Sequence, residues 1–171
     1  MKTTQEALAV LQEVLADLPT IVKNSTWDSL IVNRRKPWTY RAFTKYKDIR
    51  ICLHRFATCD EHESFLHPHP WSGAFAIIRG SYVMSVGKSP DREQDSVEVA
   101  KFILTKGCQY AITDPLTWHS VTPLEECYTV MVNSDPWPAE VAHTKVRTTK
   151  GKDLDKMSAE ELKSHLNQFL S

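Results

Sequence analysis

The sequence has no net charge, no long apolar run and no paired-cysteine motif, and each absence removes a class of function. Basic and acidic side chains balance at 21 each and the pI is near 7. No general field therefore gathers nucleic acid or an anionic membrane surface. No stretch approaches the roughly 18–20 apolar residues of a membrane span, and acids and glutamines interrupt the opening MKTTQEALAVLQEVLADL. Lacking the core of a secretory signal, the protein is expected to stay in the cytoplasm. Cys52, Cys59, Cys108 and Cys127 are well separated and show no CxxC spacing, which signals neither a zinc ribbon nor a disulfide framework. Reduced, mostly buried thiols are expected. There is also no internal repeat and no low-complexity tract.

What is present is ordinary globular composition: 171 residues, 42% hydrophobic and 25% charged. One domain over residues 1–171 is expected. Leu8, Leu11, Leu15 and Leu18 follow amphipathic helical spacing; Thr3 and Glu6 form a capping box, and Pro19 closes a helix over residues 3–18. The far end repeats the device over about residues 158–170: Ser158 and Glu161 cap, and Leu162, Leu166, Phe169 and Leu170 supply the apolar face. Between the helices, short β-branched and aromatic segments alternate with turn signals.

Nine strands are expected within a barrel over about residues 38–134: Thr39–Phe43, Ile49–Thr58, Phe65–His69, Ala74–Arg79, Tyr82–Val86, Val97–Thr105, Gln109–Ile112, His119–Val121 and Tyr128–Asn133. KSPDREQD, Lys88–Asp95, reads as a solvated loop, and Lys145–Lys156 as a basic connector to the last helix.

The densest chemistry lies in FLHPHPWSGAFAIIRGSY, where His67 and His69 stand one residue apart. On a strand, residues i and i+2 point to the same face, so both imidazoles can reach one ion. Pro68 and Pro70 stiffen this clip, an apolar strand follows, and Gly80 closes it.

These residues resemble the cupin family. Its first motif, G(X)5HXH(X)3-4E(X)6G, is matched by His67, His69 and Gly80. The second, G(X)5PXG(X)2H(X)3N, is similar at Gly107, Pro115 and His119. The likeness covers about Glu61–Pro123, and the phrase HPHPW is similar to a group of bacterial and phage cupins. It implies an all-β double-stranded β-helix, or jelly-roll barrel, with flanking helices, and a divalent metal ion on His67, His69 and His119. Glu61 stands where the first motif begins with glycine, and Gly73 where it carries glutamate, so the usual carboxylate ligand is missing. Three neutral imidazoles leave the 2+ charge of an ion uncompensated, which favours an anionic ligand, and they leave coordination positions open. The ligand set resembles that of the three-histidine thiol dioxygenases, exemplified by cysteine dioxygenase, and that resemblance implies Fe2+. Imidazoles also accept Zn2+, Ni2+ and other ions.

Around this centre, Arg41, Arg55 and Arg79 lie on expected strands, and Arg55 is the chosen clamp for an acidic substrate. Tyr82, with Tyr110 and Tyr128 as further candidates, is chosen to donate to a bound oxygen. Trp71 and Trp118 are expected to shield the site. His54 is read as a core histidine, His62 and Glu63 as exposed, and Cys108 and Cys127 as wall residues. The leading expectation is a metal-dependent oxidoreductase, a dioxygenase acting on a small anionic substrate. A metal-free sugar-nucleotide epimerase with a His–Tyr acid–base pair and a non-catalytic binding cupin are the alternatives. Exposed barrel edges point to a homodimer.

Overall fold

In the computed structural model, which describes residues 3–145 and 154–170, two helices precede ten strands and a third helix follows them. Part of the expected basic connector, residues 146–153, lies outside the described residues.

Helix α1, Thr4–Ala16, begins with the expected capping box: Thr3 Oγ1 accepts from the Glu6 amide and Glu6 Oε2 accepts from the Thr3 amide, both at 3.1 Å. Its buried line is Ala7, Leu11 and Val14, while Leu8 and Leu15 are only partly buried, so the stripe is turned by one residue from the expected one. Pro19 does not end the helical region. It sits in the first turn of α2, Leu18–Asn24, where its missing N–H would have no partner anyway. Helix α3, Ala159–Asn167, carries the second expected capping box, Ser158 with Glu161.

The strands are β1 (Asp28–Val32), β2 (Thr39–Tyr46), β3 (Ile49–Phe56), β4 (His67–Pro68), β5 (Trp71–Arg79), β6 (Ser81–Lys88), β7 (Val97–Thr105), β8 (Gln109–Ile112), β9 (Thr117–Pro123) and β10 (Cys127–Pro136). All nine expected strands are present, and β1 is additional. They form two antiparallel sheets, in the orders β1-β2-β3-β10-β5-β8 and β4-β9-β6-β7.

The pairing defines the topology. Strand β3 pairs β10, β4 pairs β9, β5 pairs β8 and β6 pairs β7. A single long hairpin with its tip between β6 and β7 has thus been wound up so that its strand pairs alternate between sheets. That is the jelly roll found in cupins, with β1 and β2 extending one sheet. Gly80, at φ 80°, makes the β5–β6 turn, where a Cβ would come within 2.6 Å of the Glu126 carbonyl oxygen.

The six-stranded sheet is buried on both faces. Its outer face, with Ile51, Leu53, Ala74, Ala76, Val130 and Val132, packs under the helices against Ala7, Leu11, Val14 and Ile21. Its inner face supplies Cys52, Phe75, Ile77 and Met131 to the space between the sheets, where Tyr82, Met84 and Val121 of the smaller sheet meet them. Alternation along each strand therefore sorts residues into a helix-facing set and a barrel-facing set.

Candidate metal centre

His67 and His119 are direct partners in the β4–β9 pairing, so their side chains stand side by side on one face of the smaller sheet. His69 follows Pro68 and returns to that face. Pro68 is tolerated because β4 is the edge of its sheet, where no further strand needs an amide donor. The three rings cluster with centroids 4.6 to 5.1 Å apart, and their ligating nitrogens lie within 4.8 Å of one another.

The nitrogens that face inward can be identified. His67 Nδ1 lies 3.2 Å from the Phe65 carbonyl oxygen, which can only accept, so the proton sits on Nδ1 and Nε2 keeps its lone pair. His69 Nε2 and His119 Nε2 face each other at 2.6 Å. At that separation two bare lone pairs repel, so a proton or a cation belongs between them. His119 Nδ1 is buried without a partner among the described residues, leaving Nε2 as that ring's working atom.

Electrostatics keep the rings neutral. Burial is the main cause that pushes the His67, His69 and His119 pKa values below the ordinary range; for His69 the adjacent rings and Arg41 add to it, and for His119 the His67 ring does. Uncharged imidazoles with converging Nε2 atoms are the form in which histidine ligates a metal. The donor set thus fits a divalent ion. Aromatic rings wall the cluster: Trp71 lies 4.3 Å and Phe75 5.7 Å from His69, Phe65 lies 5.1 Å from His67, and Tyr110 lies 6.2 Å from His119.

Several expected neighbours lie elsewhere. Arg55 shares its strand face with Ile51 and Leu53 and so points toward the helices; its guanidinium lies over the Tyr40 ring at 3.9 Å and pairs with Glu126 at 3.3 Å. The assignment of Arg55 as the clamp is corrected accordingly. Arg79 also leaves the barrel, over Tyr128 at 3.8 Å, and Tyr128 itself packs on the helix side.

Tyr82 is inside the barrel, and its hydroxyl donates to that of Tyr110 at 3.0 Å, the tyrosine whose ring lies beside His119. Burial pushes both phenols upward. Trp71 shields the cluster as expected, whereas Trp118 sits edge-on to His143 at 4.9 Å, because the residue next to His119 must point to the opposite face. Glu63 is held by Lys36 at 2.7 Å and His62 is exposed. Burial pushes the Cys127 thiol up to about 12, as befits a wall residue. Gly73 leaves no room beside the histidines: a Cβ there would lie 2.8 Å from the Val132 carbonyl oxygen and 3.3 Å from the Trp71 ring.

Arg41, on the barrel-facing side of β2, donates from Nε to His54 Nε2 at 2.9 Å. Its strand position alone did not reveal this, because both faces of the sheet are buried.

No protein-family model matches the chain, and no curated protein does. Among solved structures, the iron(II) form of HppE in complex with the alternative substrate (S)-1-HPP aligns at TM-score 0.49 and 10% identity, over 62% of this chain and 55% of that one. Hydroxypropylphosphonic acid epoxidase from S. wedmorenis aligns at 0.47 and 11%, over 61% and 55%. The plu4264 protein of Photorhabdus luminescens aligns at 0.45 and 11%, over 62% and 80%. The match spans just over half of the epoxidase chains. Likeness this distant transfers neither substrate nor reaction; it accompanies a jelly roll already defined by strand pairing.

Proposed function

We propose that the chain is a metal-binding cupin in which His67, His69 and His119 hold one divalent ion, and that it acts as an oxidoreductase of the dioxygenase type on a small anionic substrate. The observation that carries this reading is the convergence of three neutral imidazoles, Nε2 inward, two of them half-buried and His119 buried, beside the Trp71 and Phe75 rings. When bound, the ion supplies Lewis acidity and open coordination positions, and as Fe2+ it supplies redox chemistry as well. The chain's own contribution is to hold three uncharged donors on, and one residue beyond, two paired strands, and to cover part of the cluster with Trp71 and the buried Phe75. With no carboxylate among the donors, the charge of the centre favours an anion.

For the His–Tyr acid–base pair of the metal-free epimerase reading, Tyr82 is turned to Tyr110, to which its hydroxyl donates, and the tyrosine ring beside the cluster is Tyr110, 6.2 Å from His119. Among the described residues no helix is long and apolar enough to cross a membrane, and we place the protein in the cytoplasm as a homodimer. Metal analysis of protein purified without a histidine tag, followed by oxygen-consumption assays on the iron-loaded form, tests the reading. A protein that takes up no divalent ion overturns it.

A further inference from the structure

We propose that the cleft lined by Phe43, Arg50, Trp71 and Asn133 is a ligand site in its own right, which takes a flat, uncharged lactam ring by its adjacent C=O and N–H groups. It does not rest on the metal reading above.

The β3–β10 register sets Arg50 directly opposite Asn133, and the β5–β10 register sets Gly73 on the other side of Asn133. These three form one row across the sheet, two residues along from the barrel-facing row of Cys52, Met131 and Phe75 and on the same face. Gly73 leaves its place in the row to a neighbour: a Cβ there would meet the Trp71 ring at 3.3 Å and Asn133 Cβ at 3.4 Å. The indole and Asn133 are therefore brought together over the glycine.

Two polar atoms of this row lack a partner. Arg50 Nε, a donor, and Asn133 Oδ1, an acceptor, are both buried with no hydrogen bond among the described residues, and Asn133 is only 4% exposed. A buried polar atom left unpaired is costly, so each of them calls for a partner. Both side chains are held in place. Asn133 Nδ2 donates to the Ser134 carbonyl oxygen at 3.0 Å, which fixes the amide and commits Oδ1 to the acceptor role. The Arg50 guanidinium carbon lies 4.4 Å over the Phe43 ring.

Both residues line one cleft of about 720 Å³, ample for a small molecule. Trp27, Phe43 and Trp71 give it aromatic walls. Trp71 also packs on His69, but none of the three histidines lines the cleft.

The ligand class follows from the two unpaired atoms. One requires an acceptor and the other a donor, side by side, which an amide or lactam edge supplies. A carboxylate does not, because one of its oxygens would face Asn133 Oδ1. Asp28, Asp48 and Asp135 outnumber Lys45 and Arg50 around the cleft, which also disfavours an anion. Aromatic walls favour a flat ring over an open-chain amide.

The test uses the full chain, metal-free, with uracil as probe. Its N,N′-dimethyl derivative keeps the ring and carbonyls but has no N–H, and benzoate serves as a flat anion. Uracil is expected to bind, and both other compounds to bind far more weakly. Arg50→Met should lower uracil affinity by about 10- to 100-fold, the range for a hydrogen bond to a charged group, and Asn133→Leu by about 3- to 10-fold, the range for a neutral one. Neither variant should alter the weak binding of the dimethyl derivative. In the unaltered protein, the Asn133 side-chain amide and Trp71 indole NMR signals should shift on uracil addition while the Trp118 indole signal stays, a readout that needs no variant to fold.

No uracil binding, equal binding of the dimethyl derivative, tighter binding of benzoate, unchanged uracil affinity in Arg50→Met, or unmoved Asn133 and Trp71 signals would each overturn the proposal.

Discussion

His69 Nε2 and His119 Nε2 meet at 2.6 Å although they lie 50 residues apart in the chain. Removing either ring, or His67, takes away one of three donors without removing core packing. His67→Ala, His69→Ala and His119→Ala are each expected to lose stoichiometric metal while keeping the far-ultraviolet circular dichroism of the unaltered protein. Full metal content in any of the three would sink the assignment.

The same rings give the metal-free protein a pH dependence. Their pKa values, with those of His54 and His165, are lowered on folding. As pH falls below the ordinary histidine value of about 6.5, the unfolded chain takes up protons that the folded chain resists, so folding stability drops. It is fully present above that pH. Urea unfolding of metal-free protein should show a falling midpoint from about pH 6.5 downward. A flat profile between pH 7 and 5, the same window, would contradict neutral burial of these rings.

Gly73 faces the barrel between Trp71 and Phe75, and the atom nearest an added Cβ is the Val132 carbonyl oxygen, a backbone atom with little freedom to move. Gly73→Ala should cost about 1–3 kcal/mol by overpacking, and Gly73→Glu should cost more without tightening metal binding. An unchanged melting temperature for Gly73→Ala would mean that the strand lies differently.

The turned stripe of α1 makes a comparative prediction. Leu11, fully buried, should lose about 2–5 kcal/mol on truncation to alanine, and Leu8, partly buried, clearly less. Chemical denaturation of the two variants decides it.

Strand β7 is an edge of the smaller sheet and exposes Val97, Val99 and Ile103, at 69%, 63% and 68%. Such an edge is a template for pairing with a second copy. Sedimentation should show a dimer, and Ile103→Lys should shift it toward monomer; a monomeric unaltered protein would refute the homodimer.

The sequence was most legible where polar turns punctuate β-branched runs. Strands β7 and β8 fall on the expected residues, and both capping boxes form as read. Strand β1 escaped because DSLIV is short, lacks alternation and runs into a charged turn. Parity along β3 was readable: His54 groups with Cys52 and Phe56, and Arg55 with Ile51 and Leu53. Which parity faces the barrel was not, since helices cover the other face with equally apolar contacts. Gly73 was legible as a missing carboxylate but not as a site filled by Trp71, because the indole arrives through a ring position that no spacing rule encodes.

The winding that brings β4 against β9 has a mechanical corollary. An ion gripped by both His69 and His119 would be a removable staple closing a 50-residue loop, restricting the unfolded chain as a cross-link does and adding its binding energy to folding. Chelation would then loosen the two-residue strand β4 first, since its pairing to β9 rests on only two residue pairs, and the barrel would open at its ligand-bearing edge before its helix-covered side.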